Sequence, residues 1–143
     1  MHRGGRYYLA HPFDARHWVR KWEQAVEDKF GIELINPFYD APEREDVANL
    51  DAGRAERYEQ LIPSEIVRKD TFQIERADGT VAIVDGSLSY GTIMEMVYTS
   101  MIYHKPVYLI CTNGHHQHPW LQHHSAHVFT TFEEFDQWLE SSF

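Results

Sequence analysis

Asp85, Ser89, Gly91 and Glu95 fall within eleven positions, where an apolar run gives way to an amphipathic one. Thr80–Val84 reads as a strand buried on both faces. Asp85-Gly86 breaks it, and Ser89 opens a helix running to about Tyr103. Glu95 then lies one turn past Gly91 on the same side of that helix. A glycine there removes a side chain and lets a ligand approach the carboxylate. The positive field of the helix N-terminus favours the ionised form. Two descriptions fit a glutamate so placed: a solvated residue that suits the dipole, and a carboxylate presented to a ligand. Asp85 likewise suits a loop cap or a site, and Ser89 an N-cap or a ligand contact.

The surrounding pattern says which elements must position these groups. Arg6–Ala10 reads as a strand stopped by His11-Pro12. A helix follows, capped by Asp14 and ended at Phe30 by Gly31, with Trp18, Trp22, Ala25, Val26 and Phe30 as its apolar stripe. Glu33–Ile35 is a short strand, and Tyr39 to about Arg54 is a polar excursion with one helical turn. Ser64 caps a helix to Ala77, and Asp78-Gly79 turns it into the Thr80–Val84 strand. In the Ser89–Tyr103 helix, Met94, Val97, Tyr98 and Met101 form the stripe that meets the sheet. Val107–Cys111 is a strand, Thr112–Ala126 a long His-rich loop and Val128-Phe129 a last short strand. Thr131 and Glu134 form a capping box for a final helix through Leu139. The alternation predicts one α/β domain over residues 1–143, Rossmann-like (flavodoxin-like), with three layers around a mostly parallel five-stranded sheet. Ligands of such sheets sit beyond the carboxyl ends of the strands. The loops His11–Asp14, Asp85–Gly91 and Thr112–Ala126 should therefore meet there.

Composition narrows the partners. A hydrophobic share of 43% is enough to bury a real core. A net charge of −9 gains nothing from a phosphate backbone, so a small or neutral ligand is expected rather than polymeric nucleic acid. The apolar runs are too short to span a membrane, and no signal peptide is read at the N-terminus. Cys111 is the only cysteine, which excludes an intrachain disulfide and fits a reducing, cytoplasmic setting. His115, His116, His118, His123, His124 and His127 crowd thirteen positions. A loop of His, Gln and Asn holds no fixed ligand geometry, so no metal and no cofactor is expected.

Several segments together resemble the nucleoside 2-deoxyribosyltransferase family and the related deoxynucleoside 5'-monophosphate N-glycosidases. They are Tyr8-Leu9-Ala10-His11-Pro12-Phe13, Asp70 ahead of the run Ala77–Gly86, Asp85 itself, and Gly91-Thr92-Ile93-Met94-Glu95 followed by Lys105-Pro106-Val107. The resemblance implies that Glu95 is the nucleophile, that Tyr8 orients it and that Asp70 lies near the base. Tyr7, on the other face of the strand, is the register rival of Tyr8. Asp70 or Asp85 would protonate the leaving base, help typically worth ~10²–10⁴-fold. His11, Phe13, Asp14, Ser89 and Gly91 would contact substrate, and Trp120 would serve as a lid over the base or as a core anchor.

The resemblance also implies partners: a nucleoside or nucleotide, a free nucleobase and further copies of the chain. Family members borrow a residue from a neighbour's C-terminal region, where Asn or Ser is typical. Here Trp120 and Leu121 are the candidates. Tyr98, Met101, Ile102 and Tyr103 put more apolar surface on one helix than one sheet face can cover. The expected activity is deoxyribosyl transfer between bases. The alternatives are hydrolysis of deoxynucleoside 5'-monophosphates and a non-catalytic nucleotide-binding domain. Ser89 stands where the nucleotide-cleaving relatives bind phosphate. Asp14 stands nearest to where they carry an arginine, so free nucleosides are the expected substrates, unless Arg16, Lys69 or a protonated His11 meets the phosphate.

Overall fold

β1 (Arg6–Ala10) carries Tyr7 and Leu9 to one side and Tyr8 and Ala10 to the other, and all four are buried. A strand with both faces covered belongs at the centre of a layered sheet. The computed structural model describes residues 1–40, 45–53, 62–86 and 89–143. Glu43 and Arg54 of the polar excursion, and Ser87 and Leu88 of the loop after Asp85, lie outside them.

β1 is joined in the sheet by β2 (Glu33–Ile35), β3 (Gly79–Val84), β4 (Val107–Cys111) and β5 (His127–Phe129). The order is β2-β1-β3-β4-β5 and every pair is parallel. This is the doubly wound order whose switch point lies between β1 and β3. Helices α1 (Arg16–Phe30) and α6 (Phe132–Ser142) cover the face bearing Tyr7, Leu9, Val81 and Ile110. Helices α3 (Pro63–Arg76) and α4 (Tyr90–Val97) cover the face bearing Tyr8, Ala82 and Leu109. The short α2 (Glu45–Asp51) lies in the polar excursion, and α5 (Pro119–His123) in the segment expected to be loop. The fold class is as the alternation predicts.

Local expectations fail where a polar residue takes a buried place. The buried residues of α1 are Val19, Glu23, Val26 and Phe30; Val26 and Phe30 are as expected, Val19 and Glu23 lie off the expected stripe, and Trp18 is exposed. Glu23 can be buried because Arg20 and the Asn36 side-chain amide both donate to its carboxylate. Asp14 does not cap α1. It sits in a 3-10 turn, Phe13–Ala15, and is exposed. Ser64 is not a cap either, because Pro63 already occupies the first turn of α3. Gly31 does end α1, in the left-handed region at φ 67°. Thr131 Oγ accepts from Glu134 N, while the Glu134 carboxylate accepts from Thr130.

Lys105 closes the end of α3 from across the chain. Its ammonium donates to the carbonyls of Ala77 (2.7 Å), Ile74 (3.4 Å) and Glu75. Just beyond, Gly79 lets β3 start against β4, since a Cβ there would lie 2.7 Å from the Pro106 carbonyl oxygen. Lys105→Met keeps the stem and strips these carbonyls of their donor. Unfolding free energy is expected to fall by about 2 kcal/mol, the scale for hydrogen bonds to a charged group. Urea melts should show a lower midpoint at unchanged slope.

Candidate active site

Helix α4 begins where β3 ends, and its cap organises the crevice. Ser89 Oγ accepts from Thr92 N (3.3 Å) and from Thr92 Oγ1 (2.9 Å). Both contacts use its lone pairs, so the Ser89 hydroxyl keeps its own proton for an acceptor on a ligand. The side of α4 that faces the sheet is Thr92, Met96 and, one turn on, Thr99. Met94 and Met101, expected on that stripe, are exposed, as is Tyr98. A helix whose inward stripe includes two threonines defeats a reading by hydropathy.

At about 100° per residue, two rows flank that inward stripe. Ser89 and Ile93 run down one flank, and Gly91 and Glu95 down the other. Helical side chains lean towards the N-terminus, so the Glu95 carboxylate lies over Gly91. A Cβ on Gly91 would sit 3.7 Å from Glu95 Oε1. Glycine at 91 leaves that contact unmade beside the half-buried Glu95.

α4 packs on β1 as well as β3, and Tyr8 shares its cluster with Met96. Tyr7 belongs to the opposite cluster, where its hydroxyl accepts from His2 N. Of the two tyrosines, Tyr8 therefore shares the layer of Glu95. Asp70 is in the same layer, half-buried on α3, which packs against β1 and the tail of α4. Asp85 follows β3 and is half-buried.

The loop after β1 supplies a neutral histidine. His11 is buried, with Nδ1 3.1 Å from the Leu9 carbonyl oxygen and its ring edge-on to Phe38 at 5.0 Å. Burial pushes its pKa down to about 4, although the Leu9 carbonyl favours the charged form. At neutral pH, Nδ1 therefore carries the proton and donates to Leu9, and Nε2 is an acceptor. Nε2 is buried without a hydrogen-bond partner among the described residues. A protonated His11 waiting for a phosphate is thus corrected to an uncharged ring. Arg16 is engaged too: it donates to the Phe13 carbonyl and pairs with Asp51, and its guanidinium lies 3.8 Å from the centre of the Phe13 ring.

A cleft of about 200 Å³ opens beyond the strand ends, lined by Pro12, Val84, Gly86, Ser89, Asn113 and His115 among others. The three predicted loops do meet there. Asn113 and His115 were not singled out as site residues. Their signal is position, just past the carboxyl end of β4, as His11 and Asp85 follow β1 and β3. Asn113 Oδ1 accepts from His115 N (3.0 Å) and from Cys111 Sγ (3.2 Å). Of the predicted site residues Ser89 lines this cleft, Gly91 and Glu95 lie on the other flank of α4, and Trp120 is not gathered with it. Trp120 is 69% exposed and lines a separate open groove with Met101, Pro119, His123 and His124. His124 is held there by Ser100, Nδ1 to Oγ 2.7 Å. Among the described residues, no three His, Cys, Asp or Glu side chains stand close enough to hold a metal ion, and no helix is long and apolar enough to cross a membrane.

No protein-family profile matches the chain, and no curated protein matches it. Solved structures do. A 2-deoxyribosyltransferase from the psychrotolerant bacterium Bacillus psychrosaccharolyticus superposes with a TM-score of 0.68 at 23% identity, over 92% of this chain and 90% of that one. A conserved protein from Enterococcus faecalis gives 0.64 at 13% identity, over 98% and 99%. A CMP N-glycosidase from Clostridium botulinum gives 0.58 at 17% identity, over 94% and 98%. The chain shares their fold over nearly its whole length.

Proposed function

We propose that the protein is a nucleoside 2-deoxyribosyltransferase with Glu95 as its nucleophile. The observation that carries this reading is the Glu95 carboxylate lying over Gly91, at the switch point of a fold shared with a 2-deoxyribosyltransferase. A Glu95 oxygen attacks C1' of the deoxynucleoside, and the C1'–N bond breaks with its electron pair going to the base. Asp70 or Asp85 supplies the proton that the leaving base takes up. Nitrogen of a second base then attacks C1', the Glu95 carboxylate leaves, and that base gives up its N–H proton to the Asp that lost one in the first step. Two displacements preserve configuration, as in retaining glycosidases. Tyr8 orients the carboxylate, and His11, Phe13, Asp14 and Ser89 surround the sugar. Incubation with deoxyadenosine and cytosine tests the reading: new deoxycytidine supports it, free adenine alone indicates a hydrolase, and no change indicates a binding domain.

The hydrolase reading, on a nucleoside 5'-monophosphate, has its own support. Ser89 has a proton to donate at the start of α4, and a CMP N-glycosidase shares the fold. Against it stand the neutral His11, the engaged Arg16 and the negative Asp14. Asp14 is exposed, so solvent holds its repulsion of a phosphate to about 1 kcal/mol. Asp14→Arg exchanges that repulsion for a similar attraction. The ratio of kcat/KM for deoxyadenosine and its 5'-monophosphate is expected to move roughly tenfold or more towards the monophosphate. A parent already favouring the monophosphate tenfold, with little change on substitution, would assign the choice to Ser89.

The outer side of α4 and its tail exposes Tyr90, Met94, Met101 and Ile102, with Trp120 nearby in the groove of Met101. Such a face supports a homo-oligomer in which the Trp120 segment meets a neighbour. Sedimentation is expected to give a multiple of the 16.9 kDa chain mass. A fully active monomer would contradict this.

A further inference from the structure

Helix α4 does not end as an α-helix. It widens into a π turn at Tyr98–Ile102, closed by Tyr103 N donating to the Tyr98 carbonyl at 3.1 Å. Turns of this kind often sit beside functional groups. Thr99 lies in this one, fully buried, and its Oγ donates to the backbone carbonyl of Glu95 at 2.8 Å. The Thr99 hydroxyl has one proton. With that proton on the Glu95 carbonyl, the 2.6 Å contact between Thr99 Oγ and Thr80 Oγ must be donated by Thr80. A directed chain thus runs from Thr80 through Thr99 to the peptide of Glu95.

Thr80 is fixed at the middle of the sheet. It pairs with Tyr8 on one side and Val107 on the other, and its N–H donates to the Pro106 carbonyl at 3.0 Å. The same register row therefore carries Tyr8 and the origin of the chain that ends on Glu95. The strand continues as Val81, Ala82, Ile83 and Val84, so a valine at 80 would suit it at least as well. Replacing both members of a buried hydroxyl pair by apolar groups of the same shape is close to neutral for stability. Packing alone gives no reason for two threonines here.

We propose that Thr80 and Thr99 are positioning residues for Glu95: their hydroxyl chain ties the backbone of the nucleophile's helical turn to the strand row of Tyr8. The inference rests on Glu95 being the nucleophile. Small displacements of a reacting group lower the rate of attack far more than they weaken binding. The pair should therefore govern the rate at which Glu95 reacts and leave ligand affinity alone.

The test uses a fluorinated 2'-deoxynucleoside that traps the glycosyl intermediate, followed by mass spectrometry on the whole protein. Rate constant and half-saturation are read separately for the parent, Thr80→Val, Thr99→Ser and the double variant Thr80→Val/Thr99→Val, alongside thermal melts. The double variant is expected to melt near the parent, to saturate at the same probe concentration and to be trapped at least tenfold more slowly. Thr99→Ser, which keeps the hydroxyl, should stay within threefold of the parent rate, and Thr80→Val should slow trapping at least threefold even if the double variant does not fold. A Thr80→Val or folded double variant trapped at the parent rate would overturn the inference, as would a Thr99→Ser variant as slow as the double one. A parent that is never modified at Glu95 would instead overturn the assignment of the nucleophile.

Discussion

Glu95→Gln is expected to fold like the parent and to turn over deoxynucleosides at least about 10³-fold more slowly. The amide keeps the size of the side chain and an acceptor oxygen, so packing over Gly91 is preserved. It lacks the negative charge that attack at C1' requires, and no other carboxylate shares its flank of α4. Deoxyadenosine consumption followed by chromatography gives the rate, and a thermal melt reports the fold. A folded variant keeping more than a tenth of parental activity would contradict the role. A large loss with an unchanged melt is the pattern of a reacting group rather than a structural one.

Acid is expected to destabilise the protein through His11. In the unfolded chain its imidazole takes up a proton near pH 6.5, whereas in the fold burial holds that step down to about 4. The contribution is complete above the unfolded value and is lost as pH falls from there towards 4. The gap corresponds to about 3 kcal/mol. His124, also depressed by burial and by His123, acts in the same direction. Glu23 acts in the opposite one: burial raises its pKa against the pull of Arg20 and Asn36, so its contribution is present in acid and lost as pH rises. The clean readout is therefore a difference. Urea unfolding of the parent and of His11→Gln from pH 4 to 7 should show the parent gaining the more stability with rising pH. Parallel curves would mean that His11 is not neutral in the fold.

Strands and their order were open to reading because apolar runs ending in Asp-Gly or Asn-Pro leave few alternatives. Thr80–Ile83 and Val107–Cys111 are buried, and Val84 is half-buried. The resemblance named Tyr8 rather than Tyr7, and Tyr8 is the one that shares a cluster with Met96 on the Glu95 side. Helix faces were harder. Trp18 and Trp22 drew the α1 stripe one step away from Val19, and a buried Glu23 is invisible to hydropathy because its partners, Arg20 and Asn36, come from a neighbouring turn and a different element. In α4 and its π turn the inward positions are Thr92, Met96 and Thr99, while Met94 and Met101, which look like core, face outward. The π turn adds a phase shift that no 3.6-residue pattern contains. At the site, the positions around Gly91 follow from spacing alone. Asn113 and His115 were hidden by the abundance of histidine after Cys111. The place of Trp120 depends on α5, a helix too short to show a period.

The claim on which everything else depends is that the sugar becomes covalently attached to Glu95. The direct measurement is peptide mapping of the parent protein after reaction with a fluorinated 2'-deoxynucleoside. The account predicts one adduct of the fluorinated sugar, on the peptide containing Glu95 and on that residue. An adduct on Asp70, Asp85 or any other side chain, or continued cleavage of deoxyadenosine with no adduct formed, would contradict it.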